Sequence, residues 1–273
     1  MCLAPLVSII LPVYNSARSL PACLDSLFEQ TWPQLEILAV NDGSTDESAA
    51  ILASYAEKHA NLQVFTQANS GVSAARNLAL SKAQGQFIRF VDSDDTLPPD
   101  STANLIAAIE ASHADLAIGA YTEVAGPYNH CHDRIRNGGT LSQIEFLHKY
   151  RTFPNSFYYS ALWNKLYRRE LLERNGLAFD PTMNWSEDFV FNAACYGAME
   201  TVALIENSVY NYHRNPGGLT FRFTYNCLKH PIQSTRAKIN LYRHYKDPFI
   251  KTGIYNDHKW SIRASFVKPS LGE

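Results

Sequence analysis

The turn after the first apolar run of this 273-residue chain, "PVYNSARS" (12–19), contains no glycine. A dinucleotide-binding turn needs glycines there to let the backbone approach a pyrophosphate, so that class is excluded. No GxxxxGK[ST] occurs, which removes P-loop phosphate binding. Long apolar runs are also missing. "LVSIILPV" falls far short of the roughly 20 residues a membrane-spanning helix needs. The N-terminal "MCLAPLVSII" has no basic flank and no small-residue cleavage site, so no secretory signal is read. Cysteine is sparse: five residues (2, 23, 131, 195 and 227), odd in number and widely scattered. They point to reduced thiols in a cytoplasmic protein, not to a disulfide framework.

What is present reads as a globular protein with a substantial core, 46% hydrophobic and 18% charged. Charge is unevenly spread. Residues 1–221 hold 14 Lys/Arg against 23 Asp/Glu, whereas residues 222–268 hold ten against two. An acidic body with a basic tail argues against nucleic acid as a partner and leaves an anionic membrane surface open to the tail.

The first half alternates strand and helix signals. "VSIILPV" is a continuous apolar run suited to a strand buried on both faces, and Leu20, Leu24, Leu27 and Phe28 mark a helical stripe over 17–30. "LEILAVN" is a second strand; Ser44 and Glu47 then have capping-box spacing before the next helix. "LQVFTQ", a helix ending at Gly85, "QFIRFVD", a helix over 99–112 and "ADLAIGA" continue the series. Regular alternation predicts right-handed crossovers and a parallel sheet, whose ligands bind beyond the carboxyl strand ends. "YN", "NDGSTD" and "DSDD" all fall there. Beyond residue 121 the pattern loosens. "HCHD" (130–133) has no second cluster at zinc spacing and reads as loop. A basic helical segment is read over 224–246.

"FVDSDDTLPPD" (90–100) crowds Asp92, Asp94 and Asp95 at a strand end, where their repulsion calls for a cation. Hard carboxylate oxygens suit Mg²⁺ or Mn²⁺ shared with a diphosphate. Capping of the next helix by Asp95 and Thr96 would explain one acid but not three. An EF-hand fails, because Leu97 and Ala103 stand where glycine and glutamate are required. "DSDDTL" also resembles the DxDxT-leucine motif of haloacid-dehalogenase-type phosphohydrolases, with Asp92 as nucleophile and Asp94 as acid/base. In that family the motif ends the first core strand, whereas three strand–helix units precede it here.

Together, "VSIILPVYNSARSLPACLDSLFEQTWPQLEILAVNDGSTDES", "NSGVSAARNLAL", "FIRFVDSDD", "LWNKLYRRELL" and "WSEDFVFN" resemble family 2 glycosyltransferases of bacterial type. The resemblance covers about residues 6–220. It implies an α/β GT-A fold: a Rossmann-like, mostly parallel sheet flanked by helices, with a smaller acceptor-side region and a C-terminal helical segment. The domain reading is 1–221 (nucleotide-sugar half 1–120, acceptor half 121–221), followed by a basic extension over 222–273. The implied reaction is inverting, metal-dependent transfer from a nucleotide diphosphate sugar, usually a UDP-sugar, to a glycan or lipid-linked acceptor. Nucleotide-sugar contacts fall to Pro12, Tyr14, Asn15, Asp42 (uracil N3), Arg76 (nucleobase or phosphate), Asp92, Ser93, Asp94 and Asp95 (donor sugar). The resemblance assigns the metal to Asp94 and Asp92, proton abstraction to Asp188, and acceptor positioning to Glu187. Helix capping by Ser186 and the two acids is the structural alternative. Trp163, Asn164 and Lys165 resemble the motif lining the acceptor side, and core packing explains Trp163 equally well. In "YNYHRNPGGLT", alternation places Tyr210 and Tyr212 opposite Asn211 and His213. His213 or Arg214 could meet the diphosphate, and Pro216–Gly218 could hinge a lid. A non-catalytic nucleotide-sugar or carbohydrate-binding module is the remaining alternative.

Overall fold

The computed structural model describes residues 4–125, 128–132, 138–151, 156–183 and 186–214. The basic segment over 222–273 and the Pro216–Gly218 hinge lie outside them. The first half runs β1 (Val7–Val13), α1 (Leu20–Phe28), β2 (Leu35–Asp42), α2 (Ser48–Ala56), β3 (Leu62–Gln67), α3 (Val72–Leu80), β4 (Phe87–Phe90) and α4 (Ser101–Ser112). The second half runs β5 (Leu116–Ala125), β6 (Tyr128–His132), β7 (Gly139–Ser142), α5 (Gln143–Tyr150), α6 (Phe157–Ser160), β8 (Lys165–Arg168), α7 (Arg169–Arg174), α8 (Glu187–Ala198) and β9 (Thr201–His213).

The nine strands of the described residues join one sheet, ordered β3-β2-β1-β4-β8-β5-β9-β7, with β6 paired to β5. β3, β2, β1 and β4 are mutually parallel, as the alternating pattern predicts. Every residue of β1 is buried, the reason its sequence shows no polar alternation. β8 then inserts antiparallel between β4 and β5, so a strand from beyond residue 121 lies inside the sheet. β5 and β9 are parallel to each other, and a register shift follows Gly119. A Cβ at Gly119 would lie 2.6 Å from a Val209 methyl, so only glycine permits this approach.

Two local readings are corrected. Ser44 and Glu47 do not cap α2: Glu47 makes no side-chain cap bond, and the Ser48 N–H donates to Asp46 Oδ1 at 3.0 Å. The Ser44 hydroxyl instead accepts from the Asn15 N–H, so loop-to-loop bonding displaces the helix cap. A reciprocal capping box does form at α5, between Ser142 and Glu145. Residues 130–132 are strand, not loop, because β6 pairs in register with β5. There His132 Nε2 lies 3.1 Å from Glu123 Oε2.

Candidate active site

Parallel strands bring their carboxyl ends to one edge, and the polar motifs arrive there together. Pro12 is buried in β1, beyond the last β4 pairing at Ile10, where one flank of the strand has no partner strand. Tyr14 follows it, 49% exposed. Asn15 has φ of 48° and its Oδ1 accepts from the Thr45 N–H at 2.8 Å. The Ser16 N–H donates to Ser48 Oγ and the Ala17 N–H to Asp46 Oδ2, so the first two loops are stitched together. The Ser93 and Ser16 hydroxyls are 2.6 Å apart, which ties in the loop after β4.

Asp42 ends β2. Its Oδ1 accepts from Gln67 Nε2 and the Ser70 N–H, both at 2.8 Å, and its Oδ2 from the Gly71 N–H at 2.9 Å. The carboxylate therefore anchors the loop that opens α3, favoured by the positive end of that helix. Each carboxylate oxygen accepts two bonds, so Oδ2 keeps one for a ligand. Gly43, at φ +70°, supplies the turn that follows; a Cβ would lie 2.7 Å from the Asn69 nitrogen.

Arg76 is 3% exposed, and its guanidinium meets three carboxylates. Nη2 donates to Asp92 Oδ1 at 3.0 Å; Nη1 donates to Glu187 Oε1 at 2.9 Å and Asp188 Oδ1 at 2.6 Å. Burial would depress its pKa, but Asp188, Asp92 and Glu187 outweigh that and hold the guanidinium above its ordinary value. Glu187 and Asp188 open α8, preceded by Ser186 in a left-handed conformation at φ 61°. Ser186 makes no side-chain cap bond, and both acids turn to Arg76, so capping is not their arrangement. Burial pushes the Asp188 carboxyl well above the usual range, with Arg76 opposing and Glu187 and Asp92 reinforcing the rise. It still keeps 26% of its side-chain surface exposed.

In the "DSDD" loop, Asp92 and Asp94 are half-buried. Asp95 is not: at 1% exposure it accepts from the His213 N–H at 2.7 Å and the Tyr210 hydroxyl at 2.8 Å. Burial first, then Asp94 and Asp92, raise its pKa well above the ordinary value. It therefore anchors β9 through these two bonds. The Tyr210 oxygen also accepts from the Asp92 N–H at 3.1 Å, so one phenol shapes the whole loop. Strand alternation places Tyr210 on a face but carries no signal of this role.

The Trp163–Lys165 motif lies inside the fold. Trp163 is buried, stacked on Tyr210 at 4.5 Å and Tyr212 at 5.7 Å. Lys165 has no exposed surface; Nζ donates to the Tyr158 oxygen at 3.0 Å, to the Ala161 oxygen and to Asn164 Oδ1 at 2.9 Å. Burial lowers its pKa well below a normal lysine's. His213 Nε2 sits 3.0 Å from Thr96 Oγ1, and burial lowers the pKa of its ring. Arg214 pairs with Glu123 at 2.8 Å, its side chain 70% exposed. Tyr210 and Tyr212 do share one face while Asn211 and His213 meet Thr96 on the other, as strand alternation requires.

Among the described residues no three His, Cys, Asp or Glu side chains group as a metal site. Asp92 and Asp94 nevertheless suit a divalent ion of the Mg²⁺ type, which takes one or two carboxylates and completes its shell with phosphate and water.

A mixed sheet whose parallel half collects acidic motifs at one edge, faced by an acidic pair from α8, defines the GT-A class of sugar-nucleotide transferase. Residues 8–176 match the profile of glycosyl transferase family 2, and the chain belongs to that family. It is 34% identical over 243 residues to the glycosyltransferase EpsJ of Bacillus subtilis (strain 168), covering 88% of this chain and 71% of EpsJ. It is similar to the crystal structure of S. aureus TarS 1–349 in complex with UDP, with TM-score 0.66 and 28% identity over 77% of this chain. The same TarS fragment in complex with UDP-GlcNAc gives TM-score 0.67 at 27% identity over 78% of this chain. The chain spans 61% and 60% of those two structures. Family membership sets aside the phosphohydrolase reading, and so does topology, because Asp92 follows β4 and not the first strand. No helix among the described residues is long and apolar enough to cross a membrane.

Proposed function

We propose that this glycosyltransferase moves a sugar from a UDP-sugar to a hydroxyl of a glycan or lipid-linked glycan, with inversion, in cell-surface polysaccharide synthesis. The observation that carries this is one juxtaposition. Asp92, at the end of β4, and Glu187–Asp188, at the start of α8, meet around a single guanidinium despite nearly a hundred intervening residues. A fold that only bound nucleotide would not need the second acidic pair beside the first.

Asp188 accepts the acceptor hydroxyl proton as that oxygen attacks the anomeric carbon. The bond to the diphosphate oxygen breaks and its electron pair leaves with UDP, so a single displacement inverts the centre. Burial suits Asp188 to this work, because a carboxylate with a raised pKa is a stronger base nearer the working pH. Glu187 orients the acceptor. Tyr14 offers an exposed ring to uracil, and the remaining acceptor capacity of Asp42 meets the uracil N3–H. Asp94 and Asp92 would hold Mn²⁺ or Mg²⁺, which supplies neutralisation of charge on the departing diphosphate.

The test is UDP release from a panel of UDP-sugars with and without Mn²⁺ or Mg²⁺, run beside thermal stabilisation by each donor. UDP-GlcNAc comes first because TarS binds it. Metal-dependent stabilisation and UDP release are expected for at least one donor; no response to any of them would overturn the proposal.

A further inference from the structure

β4 ends where the acidic loop begins, and a phenol from β9 holds the first backbone group of that loop. The Val91 N–H still donates to the Ile10 oxygen of β1 at 3.0 Å. The next N–H, that of Asp92, donates to the Tyr210 hydroxyl at 3.1 Å. The same hydroxyl donates to Asp95 Oδ2 at 2.8 Å, so it spans the loop from its first acid to its last. Just beyond, the Thr96 N–H donates to the Asn211 oxygen at 3.3 Å and the Asn211 N–H to the Thr96 oxygen at 3.0 Å. The phenol is itself rigidly held. Its ring is fully buried and stacks on Trp163 at 4.5 Å, and Tyr121 meets Trp163 edge-on at 4.8 Å. One residue before it, the Val209 oxygen accepts from Arg89 Nη2 at 2.7 Å, while Arg89 Nη1 meets the Ser101 and Thr102 hydroxyls. β9 is therefore tied to β4 and α4 beside the tyrosine.

Resting on the proposed role of Asp92 and Asp94 as metal holders, we infer that Tyr210 is a positioning residue for that site. Its hydroxyl presets the loop so that both carboxylates serve one divalent ion. Asp94 lies between the two points that the phenol fixes, the Asp92 N–H and the Asp95 carboxylate. Neighbouring carboxylates repel, so a loose loop would let them part, and binding an ion would then carry the cost of ordering the loop. A phenylalanine at this position would fill the same space and stack on the same indole. It would leave the Asp92 N–H without this acceptor and Asp95 Oδ2 without this donor. Removing a group that orients metal ligands in this way typically lowers metal affinity or activity by about 10- to 100-fold.

The test is calorimetry of Mn²⁺ binding to the full chain at saturating UDP, for wild type, Y210F and Y196F. Y196F is the matched control, because the Tyr196 hydroxyl is equally buried but donates to the Tyr159 oxygen at 2.6 Å, between α8 and α6. Both substitutions should raise the unfolding constant by roughly fivefold or more in urea. Y210F alone should weaken Mn²⁺ binding, by about tenfold, and its sugar transfer should recover as Mn²⁺ is raised. An unchanged Mn²⁺ constant in Y210F, or an equal loss in Y196F, would make the phenol a packing group only and overturn the inference. An activity loss that added Mn²⁺ does not restore would do the same. A wild type that binds Mn²⁺ with UDP but turns over no UDP-sugar rejects the proposed transfer, while the Mn²⁺ constants still decide the role of Tyr210. A wild type that binds no Mn²⁺ removes the metal from the proposed function and the inference with it.

Discussion

Along β1–β4 the polar motifs collect at carboxyl strand ends; in the β5–β9 half Glu187 and Asp188 meet them there, while Trp163 and Lys165 turn inward. The contrast is sharpest between two buried cations. Arg76 is held by three carboxylates and stays charged, whereas Lys165 is held by two carbonyls and an amide and has its charge disfavoured by burial. A cation among carboxylates organises a site. A cation among carbonyls closes a turn, here the one between α6 and β8. Burial alone does not separate these cases; the partner does.

The largest expected effect tests the acidic side of that contrast. D188N should lower sugar transfer by about 100- to 10,000-fold with UDP affinity nearly unchanged, measured by kinetics and calorimetry. The pH profile carries a further signature. Burial raises the Asp188 pKa and the reaction needs the ionised form, so activity should climb with pH through a limb above the ordinary aspartate value of about 3.9. A limb at the ordinary value would show that Asp188 is not the titrating base.

Next in size come the inward residues, which should alter folding and spare nucleotide binding. W163A removes a ring packed against Tyr121, Tyr210 and Tyr212 and should cost about 3–5 kcal/mol in denaturant unfolding. K165M strands two carbonyls and should cost about 1–3 kcal/mol. It should also flatten the dependence of stability on pH. With a depressed native pKa, the unfolded chain binds the extra proton, so the wild type gains stability as pH rises between the two lysine values. A raised acceptor KM in either variant, with stability intact, would return these residues to the acceptor side of the site.

How much was legible in the sequence follows the same division. The order of strands and helices to β5 was readable because apolar runs and turns are local signals. So were the positions of Asp42, Asp92, Asp94, Glu187 and Asp188, since strand and helix ends are local too. The insertion of β8 between β4 and β5 was not, because a four-residue strand carries too little pattern to declare its partners. Nor was the buried state of Arg76 or Lys165, and for Trp163 core packing is one of two readings the sequence leaves open. Each is polar or amphipathic and compatible with an exposed role until a distant segment covers it. Phe179 had no local signal at all: its place under Arg76 depends on α3 and a loop a hundred residues later.

The smallest effect separates two helix starts that share one sequence spacing. Ser44 with Glu47 and Ser142 with Glu145 both have capping-box spacing, but only the second forms the box. There the Ser142 N–H donates to Glu145 Oε2 at 2.8 Å and Ser142 Oγ accepts from the Glu145 N–H. S142A should therefore cost about 1 kcal/mol in unfolding free energy. E47A, at an exposed residue with no cap bond, should stay within about 0.5 kcal/mol of wild type. The difference has a cause in the site: the Ser44 hydroxyl is occupied by the Asn15 N–H, which ties the β1 loop to the β2 loop. A cost for E47A equal to that of S142A would mean that α2 is capped in solution and the loop-to-loop bond is not made.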